Sequence, residues 1–227
     1  MTPPERAAPD ASRRSERSRT AILDATRELI PALGYDNMTI EAIAARAGVG
    51  KQTIYRWWPS KGAVVLDMIA PDIHPRIGFP DTGDLAADLR TQLKTVFELG
   101  DDPVFGPTLR ALIADSQHDP GLAQQLRDRI FGPRIAACKE RLHAGQAAGQ
   151  LAADADLDVA IDLFYGGFYH RYLLGVAPLT PAYADAVVEA AMTGVGGAPQ
   201  TKPQTKPRSR PPSKTRTRKR PQASARG

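Results

Sequence analysis

Residues 39–61, TIEAIAARAGVGKQTIYRWWPSK, restrict the fold more than any other part of the chain. Ala44, Gly48 and Ile54 stand there at the spacing Ala-x3-Gly-x5-Ile, and each has a steric task. Ala44 is small enough to let a second helix cross closely. Gly48 supplies the positive φ that a tight turn between steeply crossed helices requires. Ile54 is the apolar knob that seats a short helix, residues 51–57, on the helix before it. At about 100° per residue, Lys51, Gln52, Tyr55 and Arg56 then fall on the outward side.

That geometry is a helix–turn–helix, and it predicts a DNA reader. Lys51 and Gln52 lie in the first turn, the part of a recognition helix that reaches base edges in the major groove. Lysine donates to guanine and glutamine pairs two-fold with adenine. Tyr55 brings a ring for a thymine methyl and a hydroxyl for phosphate. Thr53, Arg56 and the indole N–H of Trp57 are phosphate donors. Trp58 is expected in the core, because a second exposed indole would make a sticky patch. Thr39 is read as the N-cap of the first helix of the pair, and Ser60 as that of the next helix. Just inside that helix, Lys61 adds its charge to the N-terminal dipole field and makes an anion site.

The run VGKQTIYRWWPSKGAVVLDMI, with its Thr–aliphatic–Tyr, aromatic pair and Pro-Ser-Lys, resembles the signature of the TetR/AcrR family of bacterial transcriptional regulators. The likeness extends upstream through RTAILDATRELIPALGYDNMTIEAIAARAGVG, so it covers roughly residues 19–70. It implies a three-helix DNA-binding domain followed by a larger helical domain that binds a small ligand and dimerises. Carried over by motif position, Lys51, Gln52 and Tyr55 approach bases, while Thr39, Thr53, Tyr55, Trp57 and Lys61 hold phosphates. Many members have Gly and a less basic residue where this chain has Gln52 and Arg56, so the operator sequence does not transfer from relatives.

Beyond the motif, apolar residues recur with helical period and no stretch alternates with period two for long, so the fold class is all-α. The expected divisions are a mobile arm at 1–18, the reading domain at 19–70, a helical regulatory domain at 71–194 and a disordered tail at 195–227. In the first helix, Ile22, Ala25, Leu29 and Leu33 form the core stripe, and Gly34 ends it after Pro31. Three prolines and two glycines make 71–83 a linker loop. Farther on, a long helix is expected to be interrupted near Gly132-Pro133. Phe97, Phe105, Phe131, Phe164, Phe168 and Tyr169, with His118 at a helix end, concentrate aromatic and polar-tipped groups in this half. The pattern alone reads as helical core; the resemblance implies that a ligand cavity lies among these residues. Small residues in the last two helices, Gly166, Gly167, Ala184, Ala186, Ala190 and Ala191, permit the close approach of a C2 homodimer.

The net charge of +5 conceals a polarity. Residues 195–227 hold ten Lys or Arg and no acid, whereas 71–194 hold ten basic and seventeen acidic residues. Positive charge thus gathers at the reading domain and tail, which suits a partner made of phosphate. The tail, rich in proline and poor in apolar residues, cannot bury enough surface to fold. Two roles stay open for it: raising DNA affinity through counterion release, or solubilising the chain. The arginines of the arm, Arg13, Arg14, Arg17 and Arg19, are read first as a solvated tail, the alternative being contact with the DNA backbone or minor groove. A DNA-coating architectural protein is accordingly the alternative to a regulator.

No apolar run approaches the ~18 residues of a membrane span, and the polar N-terminus has no secretory h-region. One cysteine, Cys138, excludes an internal disulfide and fits a small buried residue of a cytoplasmic protein. Four scattered histidines give no metal site, no cofactor is expected, and no nucleophile triad, phosphate loop or carboxylate pair suggests an enzyme. The expected partners are a double-stranded DNA operator, a small-molecule effector and a second copy of the chain.

Overall fold

The computed structural model describes residues 11–196, and among them are ten α-helices, one π-helical turn and no strand. No helix among these residues is long and apolar enough to cross a membrane. The rest of the expected arm and the tail beyond residue 196 lie outside the described residues.

The first helix, α1 (Ala11–Asn37), starts well inside the expected arm. Neither Gly nor Pro interrupts residues 11–30, and an ion pair between Arg19 and Asp67, at 2.6 Å, fastens the early turns. Gly34, at φ 73° and ψ 163°, breaks the helix as expected, although a final turn resumes to Asn37. Of the expected core stripe, Ile22 and Ala25 are buried and Leu29 is half-buried, but Leu33 is exposed, and Thr26 and Ile30 are buried in its place. Thr26 is accommodated because its hydroxyl donates to the Ile22 carbonyl at 2.8 Å.

Three helices follow: α2 (Ile40–Ala47), the short α3 (Lys51–Tyr55) and α4 (Lys61–Arg76). The linker expected from residue 71 is largely absent, because α4 continues through Pro71 and Pro75. Each proline deprives one carbonyl of its donor. The helix persists because one face stays in the core, with Leu66, Ile69, Ala70 and Ile73 all buried. Only residues 77–84 remain as a connection.

The larger half contains α5 (Leu85–Asp101), α6 (Phe105–Ser116), α7 (Pro120–Leu126), a π-helical turn (Arg127–Phe131), α8 (Gly132–Ala147), α9 (Leu157–Leu174) and α10 (Pro181–Gly196). The interruption expected near Gly132-Pro133 is that π turn. Pro133 has no N–H to offer the Arg129 carbonyl four residues back, and this oxygen meets Nε2 of His74 on α4 at 2.9 Å. Buried residues of both halves form one cluster, running from Ile22, Ile43 and Ile54 through Val64 and Leu66 to Leu93, Leu112 and Phe168. Asp88 of α5, itself buried, accepts from Arg141 of α8 at 2.6 Å and from the Thr82 hydroxyl at 2.7 Å, tying the connection to two helices.

Candidate nucleic-acid interface and effector cavity

The reading head is built as its spacing requires. Thr39 Oγ1 accepts the Ala42 N–H at 3.1 Å and caps α2. Gly48 sits at φ 66° and ψ 33°, the left-handed region that a side chain disfavours. Its N–H donates to the Ala45 carbonyl at 3.3 Å, and that of Val49 to Ala44 at 3.0 Å, closing the helix end. Ala44 and Ile54 are buried. The short helix gives way after Tyr55 to a turn in which the N–H groups of Trp57 and Trp58 both donate to the Ile54 carbonyl.

Lys51, Gln52, Tyr55, Arg56 and Trp57 are exposed, with Tyr55 at 48% and Trp57 at 38%, while Thr53 is half-buried and Thr39 exposed. Large aromatic side chains in water beside cations are what a phosphate-lined groove would cover. Trp58 is buried, and its indole N–H donates to Asp67 Oδ2 at 3.2 Å.

Two of the expected contact residues already have partners. Lys51 Nζ lies 3.0 Å from Glu41 Oε1, and this hydrogen bond holds the exposed Glu41 carboxyl below its usual range. Lys61 is half-buried: Nζ donates to the Tyr35 carbonyl at 2.9 Å and stands 4.2 Å from the centre of the Tyr35 ring. Beside it, Ser60 Oγ accepts the Ala63 N–H at 3.3 Å and caps α4. Of the arm arginines, Arg19 is committed to Asp67, while Arg13, Arg14 and Arg17 are exposed on the first turns of α1.

Tyr35 is one residue that sequence reasoning missed here. It is buried, and its hydroxyl donates to Asp115 Oδ2 on α6 at 2.5 Å. Burial, then the hydrogen bond to Asp115, raises its phenol pKa. Its position directly after the helix-ending Gly34 was the available signal; nothing local names a partner 80 residues away. Gly62 was missed too. A Cβ there would come within 2.6 Å of Leu122 Cδ2 and 3.2 Å of the Tyr35 hydroxyl, so the start of α4 is wedged against α7 and Tyr35.

Asp67 of α4 is a second junction. It receives Arg19 from α1 and Arg129 from the π turn, at 2.6 and 2.7 Å. Burial pushes its carboxyl up, but the two guanidinium groups outweigh that and hold it below the ordinary range.

In the larger half, α6, the π turn, α8 and α9 line a half-open cavity of about 460 Å³, whose walls include Phe131, Arg134, Tyr165 and Tyr169. Of the expected pocket residues, Phe131 and Tyr169 line it. They also join Phe105 and Phe168 around a smaller inner cavity of about 30 Å³ that reaches Ile73 and Ile77. Phe97 and Phe164 line neither. Phe97 stacks between Phe168 and Tyr183 at 5.8 and 5.9 Å, and Phe164 packs on Tyr165 at 4.7 Å. His118 is exposed in the turn after α6 and lines neither cavity. Cys138 is buried, and its thiol is pushed up to about 12 by that burial, which leaves it inert.

Comparison with known proteins matches both halves. Residues 22–68 fit the family model of bacterial regulatory proteins, tetR family, and residues 79–191 that of the tetracyclin repressor-like C-terminal domain. An uncharacterized HTH-type transcriptional regulator of Bacillus subtilis, YdeS, is 34% identical over 83% of this chain and 95% of its own length. The DNA-binding transcriptional repressor TetR of Mycobacteroides abscessus is 27% identical over 78% of this chain and 92% of its own. The crystal structure of the TetR family transcription regulator SCO0332 superposes with a TM-score of 0.67 at 36% identity, covering 79% of this chain and 98% of that one.

Proposed function

The chain belongs to the TetR family, as a DNA-binding transcriptional regulator rather than an enzyme, and from that premise we propose that it is a homodimeric repressor released from its operator by a small molecule. Lys51, Gln52 and Tyr55 read bases. Thr39, Thr53, Tyr55, Arg56, Trp57 and Lys61 hold the phosphate backbone. An ammonium has three N–H donors, so the bond from Lys61 to the Tyr35 carbonyl still leaves donors for phosphate.

The observation that carries the ligand-released reading is the double attachment of Arg127–Phe131. Arg127 and Phe131 face the 460 Å³ cavity. Between them, Arg129 grips α4 twice, by its guanidinium on Asp67 and its carbonyl on His74. A ligand that displaces this turn therefore pulls on the helix whose first residue, Lys61, holds phosphate in this reading. Coupling then needs only that the ligand prefer one of two α4 positions. The repressor sense is supported by the Mycobacteroides abscessus relative, whose name states it.

Selecting bound sequences from a random DNA pool with the full chain tests the reading. A short palindrome with half-sites about one turn, ~34–36 Å, apart is expected. Uniform footprints without a consensus would instead favour the DNA-coating alternative, which rests on the basic tail.

A further inference from the structure

The chemical class of the effector, which presupposes the ligand-gated reading above, is set by two arginines of α8. Arg134 and Arg141 lie seven residues apart and so share one face of the helix. Both are buried, at 8% and 7% exposure. Arg141 meets a carboxylate of its own chain, with Nη2 and Nε donating to Asp88 Oδ2 at 2.6 and 3.0 Å. Among the described residues, Arg134 has no carboxylate within ion-pair distance. Its Nη2 donates to the Tyr165 hydroxyl at 3.0 Å, and its guanidinium lies 5.2 Å from the centre of the same ring. Nη1 is buried with no acceptor.

A guanidinium does not shed its proton inside a protein. Arg134 thus carries a full charge into the interior with one neutral acceptor, an arrangement that is costly until an anion completes it. For Arg141 the chain supplies that anion. For Arg134 the chain supplies the 460 Å³ cavity. We propose that this cavity binds an organic monocarboxylate with an apolar, ring-bearing body, and that Arg134 anchors its carboxylate.

The walls fit such a molecule. Ile113, Phe131, Ile135, Ile161 and Tyr169 are apolar or aromatic, and the volume lies within the range of pockets for drug-sized ligands. Arg127 and Asp162, exposed at the margin, carry opposite charges that offset each other. The discriminating charge is therefore Arg134.

Phe131, Arg134 and Tyr169 line both the outer and the inner cavity, so they form the partition between them. The Phe131 and Tyr169 rings meet edge to face, 6.2 Å apart at 88°. A carboxylate reaches the sealed Nη1 by displacing this pair. Phe131 ends the turn that grips α4, so the displacement that completes the ion pair also moves the element leading to the DNA.

Titration calorimetry on the full chain without DNA tests this. Naphthalene-2-carboxylate, biphenyl-4-carboxylate and 4-phenylbutyrate are each compared with their carboxamide and with the primary amine of the same body. At least one carboxylate is expected to bind about tenfold or more tighter than its amide, a charged hydrogen bond against a neutral one, with the amine weakest. Arg134→Gln should erase that preference while leaving amide binding in place, and Arg127→Gln should keep it. Equal affinities across all three sets overturn the proposal, as does a preference that survives Arg134→Gln or disappears in Arg127→Gln. Should Arg134→Gln not fold, Arg134→Lys decides: a weakened preference supports the anchor, and an unweakened one removes it. Operator affinity is read separately. Arg134-dependent binding that leaves the operator occupied would uphold the ligand class and end the release reading. Release by some other ligand, with no carboxylate preference, would do the reverse.

Discussion

Glu41 and Lys51 pair on the proposed reading face. The carboxylate holds the ammonium at 3.0 Å and adds a negative charge where, in the proposed DNA complex, phosphate approaches. Glu41→Gln releases Lys51 and removes that repulsion, so operator affinity should rise about twofold to fivefold, the range of one exposed ion pair. Fluorescence anisotropy with operator DNA measures it, and weaker binding would mean that Glu41 positions Lys51 for its base. The buried Asp88–Arg141 pair is a stability device of a different order. Burial pushes the Asp88 carboxyl up, but hydrogen bonds from Thr82 and Arg141 outweigh this, and its pKa stays below the ordinary value. A carboxyl depressed in the folded state stabilises fully above its unfolded pKa of about 3.9, and loses that contribution as pH falls through the folded value. Asp88→Asn leaves the buried Arg141 with Asp81, at 3.7 Å, as its remaining carboxylate among the described residues, and should cost about 3–5 kcal/mol at neutral pH. Urea unfolding at fixed protein concentration should show the deficit shrinking below about pH 4. A deficit equal at pH 3 and pH 7 would assign the loss to packing rather than charge.

At the level of elements, α4 is the member that both halves of the chain hold. Its first turn is wedged under Tyr35 and Leu122, and its middle is tied to α1 and the π turn through Asp67. Gly62→Ala tests the wedge by sign. Helix propensity favours alanine over glycine by about 1 kcal/mol, whereas a Cβ 2.6 Å from Leu122 overpacks the joint at about 1–3 kcal/mol. The steric effect should prevail, lowering the melting temperature and weakening operator binding together. Unchanged values in both would show that Leu122 gives way and that the joint is loose. What the sequence made legible follows the same division between local and distant causes. Ala44, Gly48, Ile54 and the caps Thr39 and Ser60 act within a few residues of themselves, so their roles were readable. The continuation of α4 through Pro71 and Pro75 depends on a buried face supplied by other helices, which proline counting does not register. Leu33 misled for a related reason: periodicity names a stripe, but the neighbours choose between Ile30 and Leu33. Tyr35 and Arg134 are defined by Asp115 and by the lack of a carboxylate partner among the described residues, and no local pattern encodes either.

For the whole molecule, the question is what covers the outer side of α9 and α10. Val159, Leu163 and Leu174 are exposed, the first two at 49%, and they recur at helical spacing along α9 with Gly166 between them. On α10, Ala182, Ala186 and Ala190 are exposed at four-residue intervals, a row with little bulk to keep a second helix away. An apolar stripe beside a small-residue stripe is the kind of surface that a second copy covers through a two-fold axis. Pairing also answers the chemistry of the reading head, since one α3 of five residues offers too few contacts to hold a single site firmly. Two heads on one rigid dimer turn the second half-site into an intramolecular event, a gain of roughly 10²–10⁴ in affinity. Leu163→Arg puts a charge at the centre of the stripe, where an unpaired buried ion is costly, while leaving α3 untouched. Sedimentation at micromolar concentration should find the wild-type chain dimeric and the variant monomeric. Operator affinity should fall by about a hundredfold or more, with binding to an isolated half-site unchanged. A variant that remains dimeric would place the interface elsewhere, and one that becomes monomeric yet binds the full operator as tightly would show that pairing contributes nothing to recognition.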